Sequence, residues 1–168
     1  DMNARRNLEL TEKMRDKSKK GTLLWVLDKT STSMGGRHLR RWLNDPLIDT
    51  LEINRRLEAV KELKENVMLR GDVVDNLKKV YDIERLAGKM AYGNANARDM
   101  ITLKNSLARL PEVKSVLQTT ESPMLKDIYE NLDELQDIYE LIEKSIIDDP
   151  PMSVKDGGII KMGYNEEV

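Results

Sequence analysis

With 168 residues, 39% of them hydrophobic and 35% charged, the chain has enough apolar material for one globular core and too much for a disordered segment. The net charge of −2 gives no global pull toward a polyanion or polycation, and the absence of cysteine excludes disulfides and thiolate metal sites. Phe is absent and only 4% of residues are aromatic, so the core is left to Leu, Ile, Val and Met, which favours an all-α fold.

In chain order, Arg6-Asn7-Leu8-Glu9-Leu10-Thr11 alternates polar and apolar residues, which predicts a short strand with Leu8 and Leu10 on one face. Lys17 to Gly21 reads as an exposed turn. The apolar run from Leu23 to Leu27 fits a buried strand or a helix; Thr22 as a cap, with Leu23, Val26 and Leu27 on one face, favours helix. Thr30-Ser31-Thr32-Ser33 offers capping hydroxyls for a helix over 35–44, through Leu39, Trp42 and Leu43, stopped by Asp45-Pro46. Asp49 or Thr50 then caps an amphipathic helix whose stripe is Ile53, Leu57, Val60 and Leu63.

The pattern returns over 67–80, breaks near Tyr81-Asp82, and continues through Ile83, Leu86, Ala87 and Met90 to Gly93. Asn94 to Asp99 has the composition of a turn and cap before the stripe Met100, Leu103, Leu107, and Pro111 suits the start of a further helix over 112–117. After Ser122-Pro123, the residues Leu125, Ile128, Leu132, Leu135, Tyr139, Ile142 and Ile146 keep helical spacing for about six turns, which predicts one long helix. Asp148-Asp149-Pro150-Pro151 ends it, and Met152-Ser153-Val154 with Ile159-Ile160-Lys161 flanks Asp156-Gly157-Gly158 as a small hairpin. The expected fold is therefore six to eight antiparallel helices, with short β-strands near the N-terminus and a C-terminal hairpin. It divides into a strand and loop region (1–30), a helical core (31–147) and the hairpin region (148–168). No fixed-period repeat is present.

Charge is unevenly spread: residues 1–41 hold 11 Lys and Arg against 5 acidic residues, and residues 121–168 hold 4 against 13. The basic start, Arg5, Arg6, Lys13, Arg15, Lys17, Lys19 and Lys20, can meet phosphate, but no aromatic residue is interleaved for stacking on bases, and a solvated loop is the simpler reading. There is no phosphate loop, zinc helix or calcium loop. His38 is the sole imidazole and sits among Arg37, Arg40 and Arg41 with no local carboxylate to orient it, so a surface role is favoured over general acid–base work. Gly35-Gly36-Arg37 has the makings of an anion site at a helix start, though paired glycines there more often permit close packing. Asp133, Glu134, Asp137, Glu140 and Glu143 read as a solvated acidic face rather than a metal site. Trp25 and Trp42 are expected in the core, and Arg85, Arg98 and Asp99 in ion pairs or caps. No residue is assigned a catalytic, cofactor-binding or metal-binding role, and the chain is not expected to be an enzyme. No apolar run approaches the length needed to cross a bilayer.

Several ordered strings resemble the DNA mismatch-repair proteins of the MutS type. They are Arg5-Arg6-Asn7-Leu8-Glu9-Leu10, Leu24-Trp25-Val26-Leu27-Asp28-Lys29-Thr30, Met34-Gly35-Gly36-Arg37-His38-Leu39-Arg40-Arg41-Trp42-Leu43 and Asp82-Ile83-Glu84-Arg85-Leu86. Gly93-Asn94-Ala95-Asn96-Ala97-Arg98-Asp99, Ile147-Asp148-Asp149-Pro150-Pro151, Asp156-Gly157-Gly158-Ile159-Ile160 and Gly163-Tyr164-Asn165 complete the series. Ala97 stands where the family usually has Pro, and His38 where an aliphatic residue is common. The resemblance implies the first segment of the core and lever domain, with both chain ends cut from a longer protein. It also implies a structural and allosteric relay between the parts that hold mismatched double-stranded DNA and an ATPase domain that binds ATP and Mg. Further implications are a homodimer, a downstream factor of the MutL type, contact with other domains of the same chain, and a bacterial, nucleoid-associated cytoplasmic location. Beside it stand a free-standing helical nucleic-acid-binding module, suggested by the basic first quarter, and a small acid–base enzyme built on His38.

Overall fold

A computed structural model describes residues 2–165, and the last three residues of the expected hairpin region lie outside them. Ten α-helices follow in chain order among the described residues: α1 (Met2–Asn7), α2 (Leu23–Leu27), α3 (Ser33–Asn44), α4 (Thr50–Glu65), α5 (Val67–Leu77), α6 (Ile83–Ala91), α7 (Ala97–Leu107), α8 (Leu110–Leu117), α9 (Pro123–Asn131) and α10 (Gln136–Ser145). The chain is all-α as expected, with more helices than the six to eight that periodicity suggested. Local chemistry sets most of the boundaries. Thr32 Oγ1 accepts from Gly35 N–H at 3.0 Å, Asp49 caps α4 through Leu51 N–H, Asn66 caps α5 through Leu69 N–H and Asp82 caps α6 through Arg85 N–H. Asn96 and Asp99 form a reciprocal capping box at the start of α7, and Pro111 occupies the first turn of α8.

The helices pack as two bundles. α4 lies against α5 and α9, and α8 against α5 and α9; α7 separately lies against α6 and α10. In the second bundle Leu86, Leu103, Leu107 and Ile142 form a shared buried cluster with Leu110, ringed by Ile83, Met90, Met100, Tyr139 and Ile146. The first bundle buries Ala59, Leu69, Leu117 and Leu125.

Four expectations are corrected. The N-terminal strand does not form: residues 2–7 are helical, Glu9 turns the chain with φ +46° and its carboxylate accepts from Met14 N–H at 2.9 Å. Leu24 N–H does donate to Leu10 O at 2.9 Å, but one bond is not a ladder, and Leu8 is 68% exposed rather than on a core face. The long helix is two helices. Its apolar spacing runs on unbroken, yet residues 132–135 leave the helix, Leu135 takes the left-handed conformation (φ +51°, ψ +44°), and Asp133 Oδ1 accepts from Leu135 N–H at 2.9 Å. That local bond offers the backbone an alternative to the helical ladder.

The C-terminal hairpin is also absent. Residues 152–154 do not pair with 159–161; instead Val154–Asp156 forms a single 3-10 turn. Gly157 and Gly158, both at positive φ, send the chain back to α10. There Ile160 makes an isolated antiparallel bridge with Ile146, through Ile147 N–H to Ile159 O (3.0 Å) and Lys161 N–H to Ser145 O (2.8 Å). Trp25 is not core: α2 has five residues and turns only Leu24 inward, leaving Trp25 49% exposed, while Trp42 is half-buried.

Candidate functional site

The strongest polar features are cross-ties between helices far apart in sequence. Arg37 on α3 reaches α6: its guanidinium donates to both Asp82 oxygens (2.8 and 2.7 Å) and to Glu84 Oε2 (3.0 and 2.6 Å). The fork geometry holds the α6 cap residue and the first turn of α6 together, and carboxylates at that end also suit the helix dipole. Hydrogen bonding to Arg37 holds the Asp82 carboxyl below the usual carboxylate range, and Arg37 in turn is held more firmly protonated by Asp82 and then Glu84.

Lys104 on α7 makes the second cross-tie. Although it is buried, its ammonium donates to Glu143 Oε2 at 2.7 Å and to Asp148 Oδ1 at 2.9 Å, which compensates its loss of water. The pairing with Glu143 raises the Lys104 pKa and the two carboxyls are lowered by Lys104. Around it Lys161 Nζ donates to Glu143 O at 2.6 Å, and Arg98 Nε to Pro150 O at 3.0 Å, so the segment after α10 is fastened to α7 and α10 together. In the first bundle Glu62 of α4 accepts from Glu121 and Ser122 N–H (2.7 and 2.8 Å), and Arg55 pairs with Asp127. Glu62 thus supplies from another helix the N-terminal partner that α9 lacks in its own Ser122 side chain.

The residues singled out from sequence take these places. His38 is exposed and lies against Trp42, ring centroids 5.0 Å apart, with Arg56 over the Trp42 ring at 3.8 Å. Gly35 and Gly36 N–H already donate to Thr32, and a Cβ on Gly35 would stand 3.1 Å from Thr32 Oγ1 and 3.3 Å from Thr30 Cβ. The pair therefore serves close packing. Of the acidic face, Glu143 and Glu134 meet lysines from other elements (Lys104, and Lys114 at 3.9 Å), Glu140 meets Gln136 and Lys144 on its own helix, and Asp133 caps the break. No cluster of three His, Cys, Asp or Glu side chains able to hold a metal occurs among the described residues. In the basic first quarter Lys17 pairs with Glu12 and Lys19 with Asp28, whose carboxyl is lowered to about 2 by Lys19 and Thr30; the Arg5 side chain lies outside the described residues. Asp99 closes the capping box and accepts from Lys89 at 2.7 Å.

Sequence reading found the caps of α2, α3, α4 and α7 but not Asn66 or Asp82, and it missed the Arg37 and Lys104 cross-ties. Their partners lie 45 and 39 or more positions away, and nothing in local composition marks them. No helix among the described residues is long and apolar enough to cross a membrane.

Comparison with known proteins agrees with the strings singled out above. The chain is 58% identical over its whole length to the DNA mismatch repair protein MutS of Ruminiclostridium cellulolyticum, 54% to that of Alkaliphilus oremlandii and 53% to that of Clostridium tetani. It spans about a fifth of these relatives, 19% of each. A family model described as MutS domain III matches residues 3–167, and the chain therefore belongs to the MutS mismatch-repair family as its domain III.

Proposed function

We propose that this domain is a structural and allosteric relay within a longer mismatch-repair protein, joining parts that hold and read mismatched double-stranded DNA to an ATPase domain. The observation that carries the reading is the set of cross-ties. Arg37 locks α3 to α6 and Lys104 locks α7 to α10 and the segment beyond, which turns separate helices into units that can pass on a displacement. In this reading the domain does no chemistry, and ATP and Mg are bound elsewhere in the longer protein. A homodimer, contacts with other domains of the chain, a downstream factor of the MutL type and a nucleoid-associated cytoplasmic location belong to the same proposal.

The test is Arg37→Met in the longer protein. Mismatch binding and basal ATP hydrolysis should stay near their starting levels, while the mismatch-dependent change in nucleotide exchange should shrink by about fivefold or more. Unchanged coupling would overturn the relay.

The second reading, a free-standing nucleic-acid-binding module, draws on the basic first quarter, whose Lys17 and Lys19 are engaged by carboxylates. It requires duplex binding by this chain alone that weakens steeply as salt rises.

A further inference from the structure

The two bundles are joined by three crossings of the chain: 78–82 between α5 and α6, 108–109 between α7 and α8, and 132–135 between α9 and α10. We propose that the domain bends at these crossings, the α4/α5/α8/α9 and α6/α7/α10 bundles moving as rigid bodies about a hinge that Lys114 latches.

Packing supports two bodies. Each substantial pairing among α4 to α10 falls inside one bundle or the other. The buried cluster of Leu86, Leu103, Leu107 and Ile142 reaches the other bundle through Leu110, the first residue of α8, and takes in none of Ala59, Leu69, Leu117 or Leu125. Closely packed interfaces prefer discrete arrangements, so motion between bodies whose buried residues meet at Leu110 is absorbed where the chain passes between them.

The crossings have the character of a hinge. The 108–109 link is two residues long, and Ala108 and Arg109 N–H still donate to Lys104 O and Ser106 O. Beside it Ser106, fully buried, accepts from Tyr81 N–H at 3.1 Å and donates to Thr102 O at 2.9 Å, which pins the 78–82 crossing to the end of α7. These two crossings make a short, fixed pivot. The third crossing is different. It lies inside an unbroken helical apolar pattern and keeps Leu135 in a left-handed conformation that is costly for a branched side chain. The Asp133 bond to Leu135 N–H holds it open from within, and from α8 Lys114 Nζ donates to Leu132 O at 2.8 Å, stands 3.9 Å from Glu134 and lies 5.9 Å from the Tyr129 ring centroid. One side chain thus holds the carbonyl of Leu132, just beyond α9, and restrains the linker, as a latch does.

The chain has no cysteine, so pairs of spin labels can be introduced cleanly. Glu58→Cys with Lys144→Cys spans the bundles, and Glu58→Cys with Glu130→Cys stays within one; all three positions are exposed. The spanning pair is expected to give a distance distribution at least about twice as wide as the internal pair, and Lys114→Met is expected to widen it further. Equal widths for the two pairs would overturn the hinge. A wide spanning distribution that Lys114→Met leaves unchanged would overturn the latch. The comparison of label pairs is made with Lys114 intact, so it stands even where Lys114→Met does not fold. Bending rests on the packing and not on the relay reading: a domain that bends while Arg37→Met leaves nucleotide exchange coupled keeps the hinge and loses the relay.

Discussion

The two bundles draw on the same kind of sequence and use it differently. In α6, α7 and α10 the apolar stripes converge, and Leu107 at their centre is 2% exposed. In α4 the stripe Ile53, Leu57, Val60 and Leu63 satisfies the same spacing, yet Leu57 and Val60 are each 57% exposed, because α4 meets α5 and α9 through a side centred nearer Ala59, which leaves only Ile53 and Leu63 half-buried. Periodicity tells which residues share a face. Whether another element covers that face depends on where the chain goes next, which periodicity does not encode.

Substitutions can sharpen that contrast. Leu107→Ala should cost about 2–5 kcal/mol in denaturant unfolding, the loss expected for emptying a closed site; a cost near zero would mean the cluster is not the core. Lys104→Met keeps the stem and removes the charge, and should cost about 1–2 kcal/mol, held down because the partner carboxylates are partly in water. The same ties shape the pH profile of thermal stability. The carboxyls of Asp82, Glu143 and Asp148 are lowered, so their contribution is present above the ordinary carboxylate range and is lost as pH falls through their depressed values. The Lys104 pKa is raised, so its contribution is present below the ordinary amine value and is lost as pH rises through the raised one. A plateau between two falling limbs is expected, and Lys104→Met should flatten the alkaline limb. Asn96→Ala removes one side of the capping box and should cost about 1 kcal/mol. Leu57→Ala should change stability by less than about 0.5 kcal/mol; a cost like that of Leu107→Ala would erase the contrast between the bundles.

What could be read from sequence was what neighbouring residues decide. Asp49, Asn96 and Pro111 mark helix starts with chemistry confined to one turn, and those starts are found where expected. The MutS strings were equally legible, since they are matters of order along the chain. What was not legible depended on distant partners. The break at 132–135 is held by the local Asp133 bond and also by Lys114, eighteen positions before Leu132, against a pattern that favours continuity. Residues 159–161 choose 145–147 over the nearer 152–154, because two glycines at positive φ turn the chain past the closer segment. The strand over 6–11 rested on six alternating residues, few enough for one turn at Glu9 to undo. The Arg37 and Lys104 cross-ties exist only once α3 stands beside α6 and α7 beside α10.

The return of residues 159–161 onto the end of α10 sets the order in which a pull at Gly163 would meet the domain's fastenings. A pull at Gly163 loads Lys161 first, through its N–H on Ser145 O and its ammonium on Glu143 O, and then the Ile147 to Ile159 bond. The Arg98 hold on Pro150 O and the Lys104 hold on Asp148 lie behind these. Such a pull would meet these fastenings in series, with the helices themselves last.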